Sequence, residues 1–274
     1  MRIHMIHVSD RSMHARSRCL LLVGAVAFAY FTAPFAYGQR RSAVPDEQII
    51  REAQLVTSGA RVDLFQHGSS VDPALVDAAE SALTRMEALL GRKLDQSALG
   101  PRVRIYVSAS TSVSHVWRGY EHPSDPKGVV FLNPRAAEAA LRGANATYAH
   151  ELAHLLTWRF YSHTLREGLA DFLALQIHPG AGVGPNIQGY TSPPPVAPEI
   201  EEYLGTTKAP PVAVTSDAAF RRGYYFASYR FVRFLIERAG ITVFLKLYDA
   251  RDPESEFQRL YGATRKELVL AAAR

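Results

Sequence analysis

The chain of 274 residues contains a single cysteine, Cys19. One cysteine cannot form a disulfide within the chain, and a zinc site built from thiolates needs more than one. Cys19 also lies in an N-terminal stretch that we predict is removed, which would leave no cysteine in the mature protein. A disulfide framework and a thiolate metal site are therefore both excluded.

Long apolar runs are also scarce, and the clearest one, residues 19–31, comes directly after Arg16 and Arg18. Ala36 and Gly38 then offer the small residues that signal peptidase reads. The run is shorter than the about 20 residues that a membrane-spanning helix needs. We therefore predict a signal peptide over 1–38 and an exported protein, periplasmic or extracellular, without stable membrane insertion. An uncleaved segment would instead anchor the protein to the membrane.

Excess charge of one sign is absent from the remaining chain. Removal of residues 1–38 takes away four of the 31 Lys and Arg residues and one of the 26 Asp and Glu residues, which leaves a net charge of +2. No block of Lys and Arg interleaved with aromatic residues is present, so we predict no nucleic-acid partner. No internal repeat is visible, and the length of 39–274 favours a single domain.

The most informative motif lies at residues 150–154, which read His-Glu-Leu-Ala-His within a stretch, 144–158, that predicts a helix. Side chains four residues apart share one helix face, so the imidazoles of His150 and His154 can bind one ion. Glu151 would lie beside the open position of that ion and act as general base. The pattern is typical of zinc hydrolases and indicates a metallopeptidase.

A catalytic zinc site needs a third protein ligand and an open position for water. Thr157 and Phe160 stand where the extended metzincin motif requires Gly and His, so that arrangement is absent. The better candidates lie at residues 165–171, which read Leu-Arg-Glu-Gly-Leu-Ala-Asp within a second predicted helix, 164–177.

Glu167 and Asp171 are four residues apart in this second helix, so both carboxylates can face the first helix. One would bind the metal and the other would orient a ligand. Only twelve residues separate His154 from Glu167, which requires a tight reversal of the chain. If the chain cannot return that quickly, His163 becomes the rival third ligand.

These two motifs resemble those of the gluzincin peptidases, most closely the small bacterial peptidase MA-like family. The resemblance implies zinc held by His150, His154 and Glu167, with Glu151 activating water. It also implies that Asp171 accepts a hydrogen bond from a zinc-bound histidine and so fixes its tautomer and direction. The short connection between the two motifs is a departure, because better-known gluzincins have a longer one.

The resemblance extends from about residue 62 to the C-terminus and includes a tyrosine-bearing helix, here 223–235. On that alignment the family tyrosine falls on Tyr225, whose hydroxyl would donate to the oxyanion that forms during hydrolysis. Tyr224, Tyr229 and Arg221 are the alternative donors. Core packing is the competing interpretation for each aromatic side chain of this helix.

The order of elements predicts an α+β domain, with a small N-terminal sheet packed on the zinc-binding helix and a mainly helical C-terminal half. Predicted strands are 61–65, 103–107 and 129–132, and predicted helices before the motif are 73–90 and 111–120. The segment 128–132 either pairs with an extended substrate or is an ordinary strand after a turn. The Gly- and Pro-rich stretch 178–211 is either a wall or lid of the cleft or a passive surface loop. The remaining histidines considered lack partners at metal-site spacing and are expected on the surface or in loops: His67, His115, His122 and His178.

We therefore predict a secreted zinc-dependent peptidase that acts on peptide or protein substrates, endopeptidase action being slightly favoured. One alternative is an exported zinc-binding protein without turnover, which the intact Glu151 argues against. The other is a zinc hydrolase of a non-peptide amide, such as one in the cell wall. The oligomeric state does not follow from the sequence.

Overall fold

The structure is a computed structural model that describes residues 42–117, 128–183 and 193–274. Contacts divide the chain into Met1–Gly38 and Gln39–Arg274, and the second unit contains every element named below. The predicted signal peptide, Cys19 and His122 lie outside the described residues. Within the described ranges, no helix is long and apolar enough to cross a membrane.

A five-stranded mixed sheet forms the N-terminal part of this unit. Its strands are β1 Gln54–Ser58, β2 Val62–His67, β3 Val103–Ser108, β4 His115–Val116 and β5 Val129–Leu132. The spatial order is β1-β2-β3-β5-β4. Strands β2, β3 and β5 run parallel, whereas β1 and β4 pair antiparallel at the two edges. All four residues of β5 are buried, as expected for a strand covered on both faces.

Helices make up most of the remaining chain. In chain order they are α1 Asp46–Glu52, α2 Leu75–Leu90, α3 Gln96–Leu99, α4 Pro134–Leu141, α5 Thr147–Leu156, α6 His163–Ile177, α7 Ala213–Ser216, α8 Ala218–Ala239, α9 Ile241–Tyr248, α10 Pro253–Tyr261 and α11 Arg265–Ala273, with a 3₁₀ helix at Pro198–Glu202. Helix α5 contacts strands β4 and β5 and helices α2 and α6. The predicted α+β class, with an N-terminal sheet on the motif-bearing helix and a mainly helical remainder, is confirmed.

The prediction of a helix over 111–120 is wrong for the residues that the structure describes there. His115 and Val116 form β4, which pairs antiparallel with β5 through His115 opposite Phe131 and Val116 opposite Val130. The His115 and Phe131 rings stack with centroids 5.0 Å apart. A two-residue strand carries no periodicity that a sequence could show, because its stability comes from the partner strand.

The suggestion that residues 128–132 pair with an extended substrate is also wrong. Strand β5 has a neighbour on each side, β3 and β4, so its backbone groups are already used within the sheet. Gly128 donates its N–H to the Leu99 carbonyl over 2.9 Å, and a Cβ at Gly128 would lie 2.8 Å from that oxygen. Close backbone packing therefore explains this glycine.

The two helices that carry the charged motifs are tied to the C-terminal half through α8. Helix α6 packs closely on α8 at Gly168, where an added Cβ would lie 2.3 Å from the Ser228 carbonyl oxygen. The described end of the long loop also packs on α8, because a Cβ at Gly223 would lie 2.5 Å from the Pro195 carbonyl oxygen. Helix α8 therefore holds both α6 and the loop, and a lid role for the loop stays a prediction.

Candidate metal centre

Helix α5 places the three polar residues of the first motif in the interior of the protein. The helix begins at Thr147, whose N–H donates to the Asn145 side chain, and it ends before Thr157. His150, Glu151 and His154 are only 4%, 6% and 5% exposed. The two imidazole rings stand edge to face with centroids 4.6 Å apart, as the four-residue spacing predicts.

A short turn returns the chain to α6, where Glu167 meets the two histidines. The side chain of Ser162 caps this helix by accepting a hydrogen bond from Leu165 N–H. The Oε2 atom of Glu167 lies 3.4 Å from Nε2 of His150 and 3.4 Å from Nε2 of His154. The twelve-residue connection is therefore long enough to bring a carboxylate to the imidazole pair.

His163, the rival ligand, does not join this group. Its Nε2 lies 3.6 Å from the other oxygen of Glu167, Oε1, and its Nδ1 lies 3.2 Å from the Tyr224 hydroxyl. In the described residues, the buried group whose ligand atoms lie within 4.8 Å of one another consists of His150, His154 and Glu167. The structure thus separates two residues that the sequence left as alternatives.

Asp171 lies one turn after Glu167 and orients His150. Its Oδ1 is 2.7 Å from Nδ1 of His150, and the Asp171 side chain is 1% exposed. A carboxylate in this position favours the tautomer with the proton on Nδ1, which leaves Nε2 directed at Glu167. This is the arrangement that the i, i+4 spacing of Glu167 and Asp171 predicts.

Of the four candidate oxyanion donors, Tyr225 has its ring beside His150 of this group. Its ring centroid is 6.4 Å from that of His150, and burial followed by the charges of Glu167, Asp171 and Glu151 raises its pKa well above the ordinary value. Its phenol is therefore protonated and able to donate.

The other three candidates have different surroundings. Tyr224 is fully buried and faces His163 instead. Tyr229 hydrogen-bonds with Arg233, and Arg221 is near Asp217 at the start of α8.

Arg166 is a member of this centre that the sequence analysis missed. It is 5% exposed, its guanidinium lies 4.6 Å above the Phe160 ring, and its Nη1 donates to Glu167 Oε1 over 3.3 Å. The sequence did contain a signal, because Arg166 lies three residues before Leu169 and seven before Leu173. These spacings place Arg166 on the same helix face as the two leucines, which are both buried. A cation on an apolar stripe must find a buried partner.

The local electrostatics give two of the three candidate ligands the protonation states that a metal requires. Burial and the Arg166 charge lower the pKa of His154 to about 3, so its imidazole is neutral. Burial alone would raise the pKa of Glu167, but the facing His154 ring, the Arg166 guanidinium and the two imidazole contacts hold it well below its usual range. A neutral imidazole and an ionised carboxylate are the forms that bind metal ions.

The remaining two groups shift in the opposite direction. Burial disfavours the charged imidazole of His150, but the charge and hydrogen bond of Asp171 outweigh it and raise the His150 pKa well above the ordinary value. Burial raises the pKa of Glu151, against the opposing charges of His150 and His115. A raised carboxylate pKa suits a group that must take up and release a proton near neutral pH.

The residues of this group fit a bound cation. Two imidazoles and a carboxylate are buried together, and Nε2 of both rings faces the same carboxylate oxygen. Burying such groups is costly unless an opposite charge or a metal compensates. The group could therefore hold a metal ion through His150, His154 and Glu167.

Other histidines take structural roles in the described residues. The expectation of a surface position is wrong for His115, which lies on β4 and is only 6% exposed. Its Nε2 atom is 2.9 Å from Oδ2 of Asp46. His178 lies just after α6 and its Nε2 is 2.7 Å from the Tyr148 hydroxyl. His67 lies at the end of β2 with Nδ1 2.9 Å from Ser108 Oγ. None of these three belongs to the group that could hold a metal.

Comparison of the chain with protein-family models gives no match, and comparison with the curated proteins gives no significant match.

Proposed function

We propose that the protein is a zinc-dependent metallopeptidase of the gluzincin type, exported from a bacterial cell. The observation that carries this proposal is the juxtaposition of Glu167 Oε2 with Nε2 of both His150 and His154, with Glu151 on the same helix. Two imidazoles and one carboxylate are a donor set that suits zinc better than magnesium or calcium, which prefer oxygen ligands alone. Three protein ligands leave a coordination position open for chemistry.

Zinc bound at this site would supply a Lewis acid that lowers the pKa of water and polarises a carbonyl. The Glu151 carboxylate takes the proton from the attacking water and passes it to the nitrogen of the leaving amine. Asp171 holds the Nδ1 proton of His150 and keeps the ring in place. The buried Arg166 offsets part of the negative charge of Glu151 and Glu167.

In this proposal Tyr225 donates its hydroxyl proton in a hydrogen bond to the substrate oxyanion. Its support is the nearness of its ring to His150 and the raised pKa that keeps the phenol protonated. Tyr225→Phe should therefore lower kcat about 100-fold with a smaller change in KM, since one oxyanion donor is worth about 10²–10³ in rate. An unchanged kcat would remove Tyr225 from the mechanism.

The experiment that tests the proposal incubates the purified protein with a peptide library derived from a proteome and sequences the newly formed termini. Glu151→Gln is the inactive variant, and Glu138→Gln is the matched control because the Glu138 side chain is 71% exposed on α4. Zinc content is measured for each protein, and Glu167→Ala is expected to lose the metal.

New termini should form with the wild type and Glu138→Gln and not with Glu151→Gln. Their positions would show whether cleavage is internal or terminal. Equal peptide patterns for wild type and Glu151→Gln, with zinc present in both, would refute peptidase activity. That result would favour a non-peptide amide substrate or a binding role.

A further inference from the structure

The two oxygens of Glu167 have different neighbours, and each oxygen faces two nitrogen atoms. Oε2 lies 3.4 Å from Nε2 of His150 and 3.4 Å from Nε2 of His154. Oε1 lies 3.3 Å from Nη1 of Arg166 and 3.6 Å from Nε2 of His163. We infer that Arg166 and His163 are positioning residues that hold Oε1 away from the metal, so that Glu167 binds it through Oε2 alone. This inference rests on the proposed metal site.

Arg166 is fixed in its own place by packing. Its side chain is 6% exposed, and its guanidinium lies 4.6 Å above the ring of Phe160, which belongs to the turn between α5 and α6. A planar guanidinium that is stacked and buried has few alternative rotamers, and its N–H groups point in set directions. The hydrogen bond from Nη1 to Oε1 therefore restricts rotation of the Glu167 carboxylate.

His163 approaches the same oxygen from the start of α6. It lies one helical turn before Glu167, and its Nδ1 is 3.2 Å from the hydroxyl of Tyr224, which is fully buried on α8. When Tyr224 donates its proton to Nδ1, the imidazole carries its own proton on Nε2, the atom that faces Oε1. The contact of 3.6 Å between Nε2 and Oε1 is longer than a hydrogen bond and acts through charge and dipole.

The chemical consequence concerns the number of protein ligands. A carboxylate can bind a metal through one oxygen or through both, and the second mode would add a protein ligand and crowd the position that water and substrate use. With Oε1 engaged by Arg166 and His163, Glu167 contributes one ligand atom and the site keeps its open positions. Both residues therefore act on the metal through Glu167.

The test measures the zinc coordination shell by X-ray absorption in the wild type and in variants of the full chain. Arg166→Met keeps the length of the side chain without its N–H groups, and His163→Phe keeps a ring beside Tyr224 without its nitrogens. Arg159→Met is the matched control, because its guanidinium also lies 4.6 Å above a ring, that of Trp158, but its side chain is 73% exposed. Arg166→Lys and His163→Gln restore an N–H donor.

We expect the double variant Arg166→Met/His163→Phe to gain one nitrogen or oxygen ligand at about 2.0–2.2 Å from zinc. The Lys and Gln variants should return towards the wild-type shell, and Arg159→Met should be identical to wild type. Activity of the double variant should fall about 10–100-fold through kcat, in the range typical of changes beside a metal ligand. The unfolding midpoints of the metal-free proteins show whether the double variant is merely unstable. If it is, the coordination shell is measured in the single variants Arg166→Met and His163→Phe instead.

An unchanged coordination shell in the double variant would overturn the inference, and peptide cleavage by the wild type would then leave the proposed function intact. A changed shell in a protein that cleaves no peptide would support the inference and count against the peptidase. A wild type that binds no zinc would overturn both.

Discussion

The substitution Gly168→Ala tests whether the close approach of α6 and α8 is as tight as the structure shows. An alanine Cβ at this position would lie 2.3 Å from the Ser228 carbonyl oxygen and 2.6 Å from Val232 Cγ2. Heavy atoms at rest stay about 3.5–4.0 Å apart, so the helices would have to separate by roughly 1 Å. The nearest obstacle is backbone, which no change of rotamer can remove.

Two effects of opposite sign determine the outcome. Overpacking costs about 1–3 kcal/mol, whereas alanine in a helix interior is favoured over glycine by about 1 kcal/mol. Because the obstructing atoms are buried, we expect overpacking to dominate, with a net loss of about 1 kcal/mol, and at most about 2 kcal/mol, in the free energy of unfolding. If the helices were loosely packed, the same substitution would stabilise the protein, so the sign of the change is diagnostic.

The substitution should also impair catalysis under the proposed function. Gly168 follows Glu167 directly, and Ser228 lies one turn after Tyr225 on α8. A displacement of α8 by roughly 1 Å would move the Tyr225 hydroxyl relative to the substrate and can lower kcat about 100-fold. Zinc content should change less, because all three candidate ligands lie on α5 and α6.

Urea unfolding of the metal-free protein, followed by circular dichroism, measures the stability change from the shift in midpoint at constant slope. Gln176→Ala on the exposed side of α6 is the control, for which we expect a change within about 0.5 kcal/mol. A Gly168→Ala protein as stable as wild type, or more stable, would refute the reasoning from close packing.

Three further predictions follow from buried polar contacts. Asp171→Asn removes the charge beside His150 and should weaken zinc binding about 10–100-fold in competition with a chelator; equal affinity would exclude a role in orienting that ligand. Glu87 is buried and accepts hydrogen bonds from two cationic side chains and one backbone N–H. These contacts outweigh the effect of burial and lower the pKa of Glu87 below 4.5. Glu87→Gln should therefore lower the free energy of unfolding by about 1–3 kcal/mol at neutral pH. Because the folded pKa is lowered, this stabilisation is present above about pH 4.5 and is lost as the pH falls through the folded pKa, so urea titrations of wild type and variant should converge in acid; a constant difference would contradict the assignment. Tyr248→Phe removes the donor to the Thr157 carbonyl, a buried bond of 2.8 Å, and should cost about 1–3 kcal/mol in thermal unfolding without loss of zinc, whereas an unchanged midpoint would show that the bond contributes nothing.

Much of the candidate site could be predicted because its parts are set by spacing within single helices. His150 and His154 share a face of α5, and Glu167 and Asp171 share a face of α6, since residues four apart in a helix always do. The sequence also predicted the α+β class from the order of elements. The positions of both helices differ from the predicted ones by only a few residues at their ends.

Strand β4 and the burial of His115 were missed because both depend on partners distant in the chain. Strand β4 exists because β5 offers it an edge to pair with, and His115 is buried because it stacks on Phe131 of that strand. No local pattern of residues contains this information.

The sequence by itself determined which side chains share a helix face, because that spacing is a local property of the backbone. Only the tertiary structure decided that Glu167, and not His163, meets the two imidazoles, and that Oε1 and Oε2 of this carboxylate face different neighbours. Those distances depend on how α5, α6 and α8 pack, and on close contacts such as that at Gly168. Packing between elements is a property of the whole fold, because each contact requires all the others that position it.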